Sequence, residues 1–166
     1  MRKLSVFLLI FVLGVTLAGC GGAPQEASEP DYSALIVPPV DLTITDCISE
    51  QELSTVLGYT MTLLGVGEEG SQAVYQTEDG TCIVTVHMLN QTRAGFDAMV
   101  NASAVPMVLQ EGLGESAYWY GDTAQLMLYS GGYAVDVSVV CVDISEPNSY
   151  VLQIAESILS RLPQDG

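Results

Sequence analysis

The chain has 166 residues, of which 4 are basic and 20 acidic, giving a formal charge of −16 at pH 7, and 49% of it is hydrophobic. So acidic a chain repels phosphate backbones, which excludes nucleic acid as a partner, and it repels anionic lipid headgroups too. Solubility outside the cell is the plain reason for such a balance; attraction of cationic ligands or divalent ions is the sharper one.

The first element predicted is a leader. Arg2 and Lys3 precede an apolar run from Leu4 to Leu17. The run is shorter than the roughly 20 residues of a spanning helix, and small residues close it, as in a secretory signal. Leu17-Ala18-Gly19-Cys20 resembles the lipobox of bacterial lipoprotein precursors. The resemblance implies cleavage between Gly19 and Cys20, loss of residues 1–19, and a lipid anchor on the Cys20 sulfur. The protein would then be held at the cell membrane, on its extracytoplasmic side. Stable anchoring takes more than one acyl chain, as the lipidated cysteine of this class implies. The mature chain keeps Arg93 and Arg161 against all 20 acidic residues, a formal charge of −18. Within residues 20–40 the stretch Gly21 to Pro30 is small, polar and proline-bearing, as in a flexible tether, which Pro38-Pro39 ends. Residues 41–166 are left as a single domain large enough for its own core.

Within that domain a helix is expected to start at Ser49, where Ser49 and Glu52 form a capping box and Ile48 can staple onto Leu53. Gly58 is its natural stop. Three strands follow over 59–66, 71–77 and 81–90, with turns at 67–70 and 78–80. In the third, Cys82, Val84, Val86 and Met88 alternate with Ile83, Thr85, His87 and Leu89, and the first set is the core face. A second helix is expected over 92–101, with Phe96, Met99 and Val100 at helical spacing. Pro106 and Gly112-Leu113-Gly114 separate it from strands over 116–120, 123–129 and 133–142. A closing helix runs over 147–162, with Val151, Ile154, Ala155, Ile158, Leu159 and Leu162 as its stripe. The order α-β-β-β-α-β-β-β-α, with tight hairpins, predicts an α+β domain: helices packed on a six-stranded antiparallel sheet.

Cys47 ahead of a helix that ends in Leu57-Gly58, Cys82 at a strand, and Gly112-Leu113-Gly114-Glu115-Ser116-Ala117-Tyr118-Trp119 carry a second resemblance. The chain resembles small extracytoplasmic lipoproteins of unknown function from actinobacteria and firmicutes. Its element order is also similar to PsbP-like α/β/α sandwiches. Neither group brings catalytic residues with it.

With Cys20 given to the anchor, Cys47, Cys82 and Cys141 allow one bridge and three pairings in an oxidising compartment. A Cys47–Cys82 disulfide is expected, because Cys82 lies on the core face and Cys47 precedes a helix that must cover such a face. Three reduced thiols are the alternative. Cys141, among valines, reads as a buried hydrophobe. Without a Cys-x-x-Cys, and with one His, a zinc or redox centre lacks ligands. That His, His87, reads as a half-exposed strand residue, and no Gly-x-Ser-x-Gly elbow is present. The acidic turns Glu68-Glu69 and Glu78-Asp79 fall at opposite ends of the meander, about 20 Å apart, and cannot share an ion.

Tyr118, Trp119, Tyr120 and Tyr133 are the candidate ligand-binding residues, able to stack on a sugar, peptide or apolar molecule if they converge. Ordinary sheet packing is the competing account of these aromatics. The sequence thus points to a non-enzymatic, membrane-anchored binding or scaffolding module for an envelope protein. A small-ligand binding protein is the alternative. No catalytic residue, metal or cofactor is expected.

Overall fold

The computed structural model describes residues 42–163. Gly19, Cys20 and the tether lie outside the described residues. In chain order the elements are α1 (Ile44–Cys47), α2 (Glu50–Leu57), β1 (Thr62–Val66), β2 (Gln72–Gln76), β3 (Cys82–Asn90), α3 (Arg93–Ala102), β4 (Met107–Gln110), β5 (Ser116–Tyr120), β6 (Gln125–Ser130), β7 (Tyr133–Cys141) and α4 (Pro147–Leu159). The class is α+β with an antiparallel sheet, but the sheet has seven strands in the order β1-β2-β3-β7-β6-β5-β4 rather than six. None of the described helices is long and apolar enough to cross a membrane.

The additional strand is β4. It pairs only with β5, from Met107↔Tyr120 to Gln110↔Ala117. Pro106 directly before it and Glu111-Gly112 after it leave too short a run for alternation to show. A proline at the start of an edge strand costs no ladder bond, and the Pro106 carbonyl accepts from the Gly121 N–H at 2.8 Å. The additional helix is α1, where the Asp46 carboxylate accepts from the Thr43 N–H at 3.0 Å and from its hydroxyl at 2.7 Å. Two β-branched residues in this short segment hide its helical turn.

Ser49 caps α2 as its spacing requires: its hydroxyl accepts from the Glu52 N–H at 3.3 Å, and the Glu52 carboxylate accepts from the Ser49 N–H at 3.1 Å. Gly58 ends the helix at φ 76°, a left-handed conformation natural to glycine. The expected first strand is trimmed to Thr62, where side chains of α2 take N–H groups on either side of its first residue. Ser54 Oγ accepts from the Met61 N–H at 2.9 Å, and Glu50 Oε1 from the Leu63 N–H at 2.6 Å. Gly131 and Gly132, both at positive φ (56° and 82°), make the two-residue turn joining β6 to β7.

Two meanders, β1–β3 and β4–β7, are joined along β3 and β7, which pair over their full length from Cys82↔Cys141 to Asn90↔Tyr133. The main core lies on one face. Val84, Val86, Val135, Val137, Leu126 and Leu128 meet Ile44, Leu53, Val151, Ile154 and Ile158 from α1, α2 and α4. Arg161, just after α4, ties these helices together: its Nη1 donates to the Cys47 carbonyl at 2.7 Å, and its Nη2 pairs with Glu52.

The expected Cys47–Cys82 bridge is not formed. Cys82 and Cys141 stand at disulfide distance and Cys47 is free and buried. The reason is register. The Val142 N–H donates to the Thr81 carbonyl at 3.0 Å, which makes Cys82 and Cys141 a non-hydrogen-bonded pair. Facing side chains approach most closely in such pairs, and the two Cα atoms are 4.0 Å apart. Burial pushes the Cys47 thiol up to about 11, with the Asp46 charge adding to it.

Candidate functional site

The second face of the sheet is only partly covered. Helix α3 lays Phe96 across β5–β7, where its ring meets Tyr129 at 5.3 Å and Tyr118 at 6.2 Å between centroids. Phe96, Met127, Tyr129 and Ala134 form a second, smaller core, with Val100, Met107, Tyr118 and Tyr120 around it. Thr92 starts α3 by accepting from the Gly95 N–H at 3.1 Å. Arg93 pins the same end, through Asp97 at 3.0 Å and over the Tyr129 ring at 5.7 Å. The outward residues of β3, from Ile83 to Leu89, belong to neither core cluster.

Where the cover stops, a cleft of about 110 Å³ opens, with His87, Leu89, Met99, Tyr120, Met127 and Asp136 on its walls. Register places these groups. Asp136 in β7 is directly opposite His87 in β3 on one side and Met127 in β6 on the other. The three therefore form a row across the outward face, with Met99 contributed by α3 and Tyr120 by β5.

Asp136 is the centre of the row. Gln125 Nε2 donates to both of its carboxylate oxygens at 3.0 Å. Burial nevertheless raises its pKa; the bonds from Gln125, the neighbouring Tyr120 hydroxyl and the nearby His87 oppose the shift without cancelling it. Tyr120 is raised as well, by burial first and by Asp136 second. Its hydroxyl donates to Met127 Sδ at 3.3 Å. The cleft thus combines a carboxylate withdrawn from water, an exposed imidazole and two thioethers within apolar walls.

A larger depression of about 860 Å³ at the other end of the sheet is lined by Tyr59, Thr60, Thr62, Glu78, Asp79 and Asp143, among others. It is a less convincing site. Asp79 there is engaged in its own turn, accepting from the Thr81 N–H at 3.1 Å and hydroxyl at 2.8 Å. Among the described residues, no three His, Cys, Asp or Glu side chains gather as metal ligands.

The aromatic candidates do not form one patch. Trp119 and Tyr133 are buried in the main core, Trp119 donating from Nε1 to Gln110 Oε1 at 2.9 Å. Tyr118 and Tyr120 are half-buried on the opposite face, around α3. Alternation along β5 enforces the split. Only Tyr120 reaches the cleft. Sequence reasoning missed Asp136, Met99 and Met127, because their meeting depends on β3 and β7 pairing across the two meanders and on the seat of α3. The one available signal was Asp136 itself, an acid at an outward position between valines.

No protein-family model matches the chain, and neither a curated protein nor a solved structure matches it.

Proposed function

We propose that the protein is an extracytoplasmic lipoprotein, anchored at the membrane through Cys20, that serves as a non-enzymatic binding module with the cleft beside α3 as its receiving site. One observation carries the reading: a desolvated carboxylate, Asp136, held by Gln125 with Tyr120 beside it, in a cleft that opens beside an exposed imidazole. Buried polar groups converging in an otherwise apolar concavity are the usual signature of a binding site. The cleft carries no Ser, Thr, Cys or Lys, and its one carboxylate is engaged by Gln125. Its 110 Å³ is well below the roughly 300–1,000 Å³ of drug-sized sites, which favours a ligand of ionic dimensions or a few heavy atoms. The lipobox supports the anchor.

A protein partner is the second reading. Ile83 and Val140 are cross-strand partners on the open part of the sheet, and Val140 is 67% exposed. A docked protein would cover them.

Native mass spectrometry of the full-length protein, extracted in detergent from the cells that make it, tests both parts. The expected species lacks residues 1–19, carries lipid on Cys20, and holds a small adduct that His87→Gln removes and Asp143→Asn, at the other depression, leaves in place. A Cys20→Ala precursor should stay uncleaved. Normal maturation of that variant would refute the anchor, and an adduct indifferent to His87 would refute the site.

A further inference from the structure

We propose that the cleft is a site for a soft monovalent metal ion of the cuprous class, ligated by the imidazole of His87 and the thioethers of Met99 and Met127. The proposal rests on the reading of the cleft as the binding site and names its ligand.

The donors come from three separate elements, β3, α3 and β6, and all three line the same cleft. His87 and Met127 flank Asp136 in adjacent strands on the same face. Strands lie about 4.8 Å apart, so the two backbones are about 10 Å from each other. Both side chains rise on the same face and line the one cleft between them. Met99 approaches from the helix above.

Met127 is buried in the second core, at 2% exposure, with one side turned to the cleft, whereas Met99 stands at its edge. Met99 is 36% exposed, and its Sδ accepts from Gln91 Nε2 at 3.4 Å. Met127 Sδ accepts from the Tyr120 hydroxyl. Each sulfur is thus oriented by a polar neighbour and keeps a second lone pair.

Ligand chemistry selects the ion. Thioethers are soft and favour Cu(I), whereas calcium, magnesium and manganese require oxygen cages. Such a cage is absent among the described residues. Imidazole and thioether are neutral ligands, so the bound ion keeps its single positive charge. Asp136, between them, is the counter-charge, held off the metal by its bonds to Gln125. The cleft is likewise too small for a drug-sized metabolite.

The test is anaerobic titration of the full-length protein in detergent with Cu(I), against the chromophoric chelator bicinchoninate, with X-ray absorption at the copper edge. One equivalent should be withheld from the chelator, with both sulfur and nitrogen scatterers around the metal. Met99→Leu, Met127→Leu and His87→Gln should each weaken retention roughly tenfold or more, while Met107→Leu, outside the cleft, should not. The leucine exchanges conserve volume, and unchanged thermal melts would show that the fold persists. Failure to withhold copper, or full retention in the triple variant (which would assign the metal to Cys47), overturns the proposal. If copper fails while the His87-dependent native adduct remains, only the identity of the ligand is lost. If both fail, the binding-site reading falls with it.

Discussion

Asp136 occupies an outward position on β7, yet burial raises its pKa from the ordinary 3.8 against the pull of its hydrogen bonds. A raised folded-state pKa means that the folded protein holds this proton more tightly than the unfolded chain. The associated stability is fully present below the unfolded value and is lost as pH rises through the folded one. Wild type should therefore gain stability over Asp136→Asn as pH falls from 7 toward 4 in urea titrations. Parallel pH profiles for the two proteins would show that burial of this carboxylate carries no energetic weight. The cysteines make a second residue-scale expectation. A bridge closing the 59-residue separation between Cys82 and Cys141 is worth about 4 kcal/mol in the chain-entropy model. Alkylation of the unreduced, denatured protein should label Cys47 but neither Cys82 nor Cys141, and Cys82→Ser/Cys141→Ser should lower the melting temperature far more than Cys47→Ser. Labelling at all three positions would restore the reduced-thiol alternative. Cys141 shares its phase with Val135, Val137 and Val139, so its inward direction was legible in the sequence, but it is half-buried and bridged rather than the buried hydrophobe expected. Its partner was not legible, since that depends on which distant strand lies alongside.

At the level of elements, legibility followed local chemistry. The Ser49–Glu52 box, the Gly58 stop and the alternation of β3 are short-range signals, and each stands where the sequence places it. Loss of the Ser49 hydroxyl should cost about 1 kcal/mol. Ser49→Ala measured by chemical denaturation checks this, and an unchanged midpoint would mean that packing alone fixes the start of α2. Glu52 has a second task, its pair with Arg161, and that bond and the Ser49 bonds hold its carboxyl below the usual range. This half-exposed contribution is present at neutral pH and fades as pH falls through the depressed value. Strand β4 escaped notice for the opposite reason. With one partner and Pro106 at its start, it exists because β5 offers it an edge, and Val108 and Leu109 remain exposed along it.

Across the whole molecule, the decisive fact is unequal cover. Three helices close one face of the sheet and a single helix closes part of the other, which leaves the row His87–Asp136–Met127 at the boundary. Periodicity could indicate which residues face outward but not where α3 would stop, and the cleft is a product of that stopping point. The aromatic candidates show the same limit, since composition marked them as a group and alternation divided them between two faces. The most direct test of the cleft as the working site is methionine-methyl NMR of the full-length protein, titrated with a small-molecule extract of the cells that make it. The Met99 and Met127 resonances should move while those of Met61 and Met88, in the core on the far face, stay fixed. A spectrum in which the cleft methionines do not respond would contradict the account.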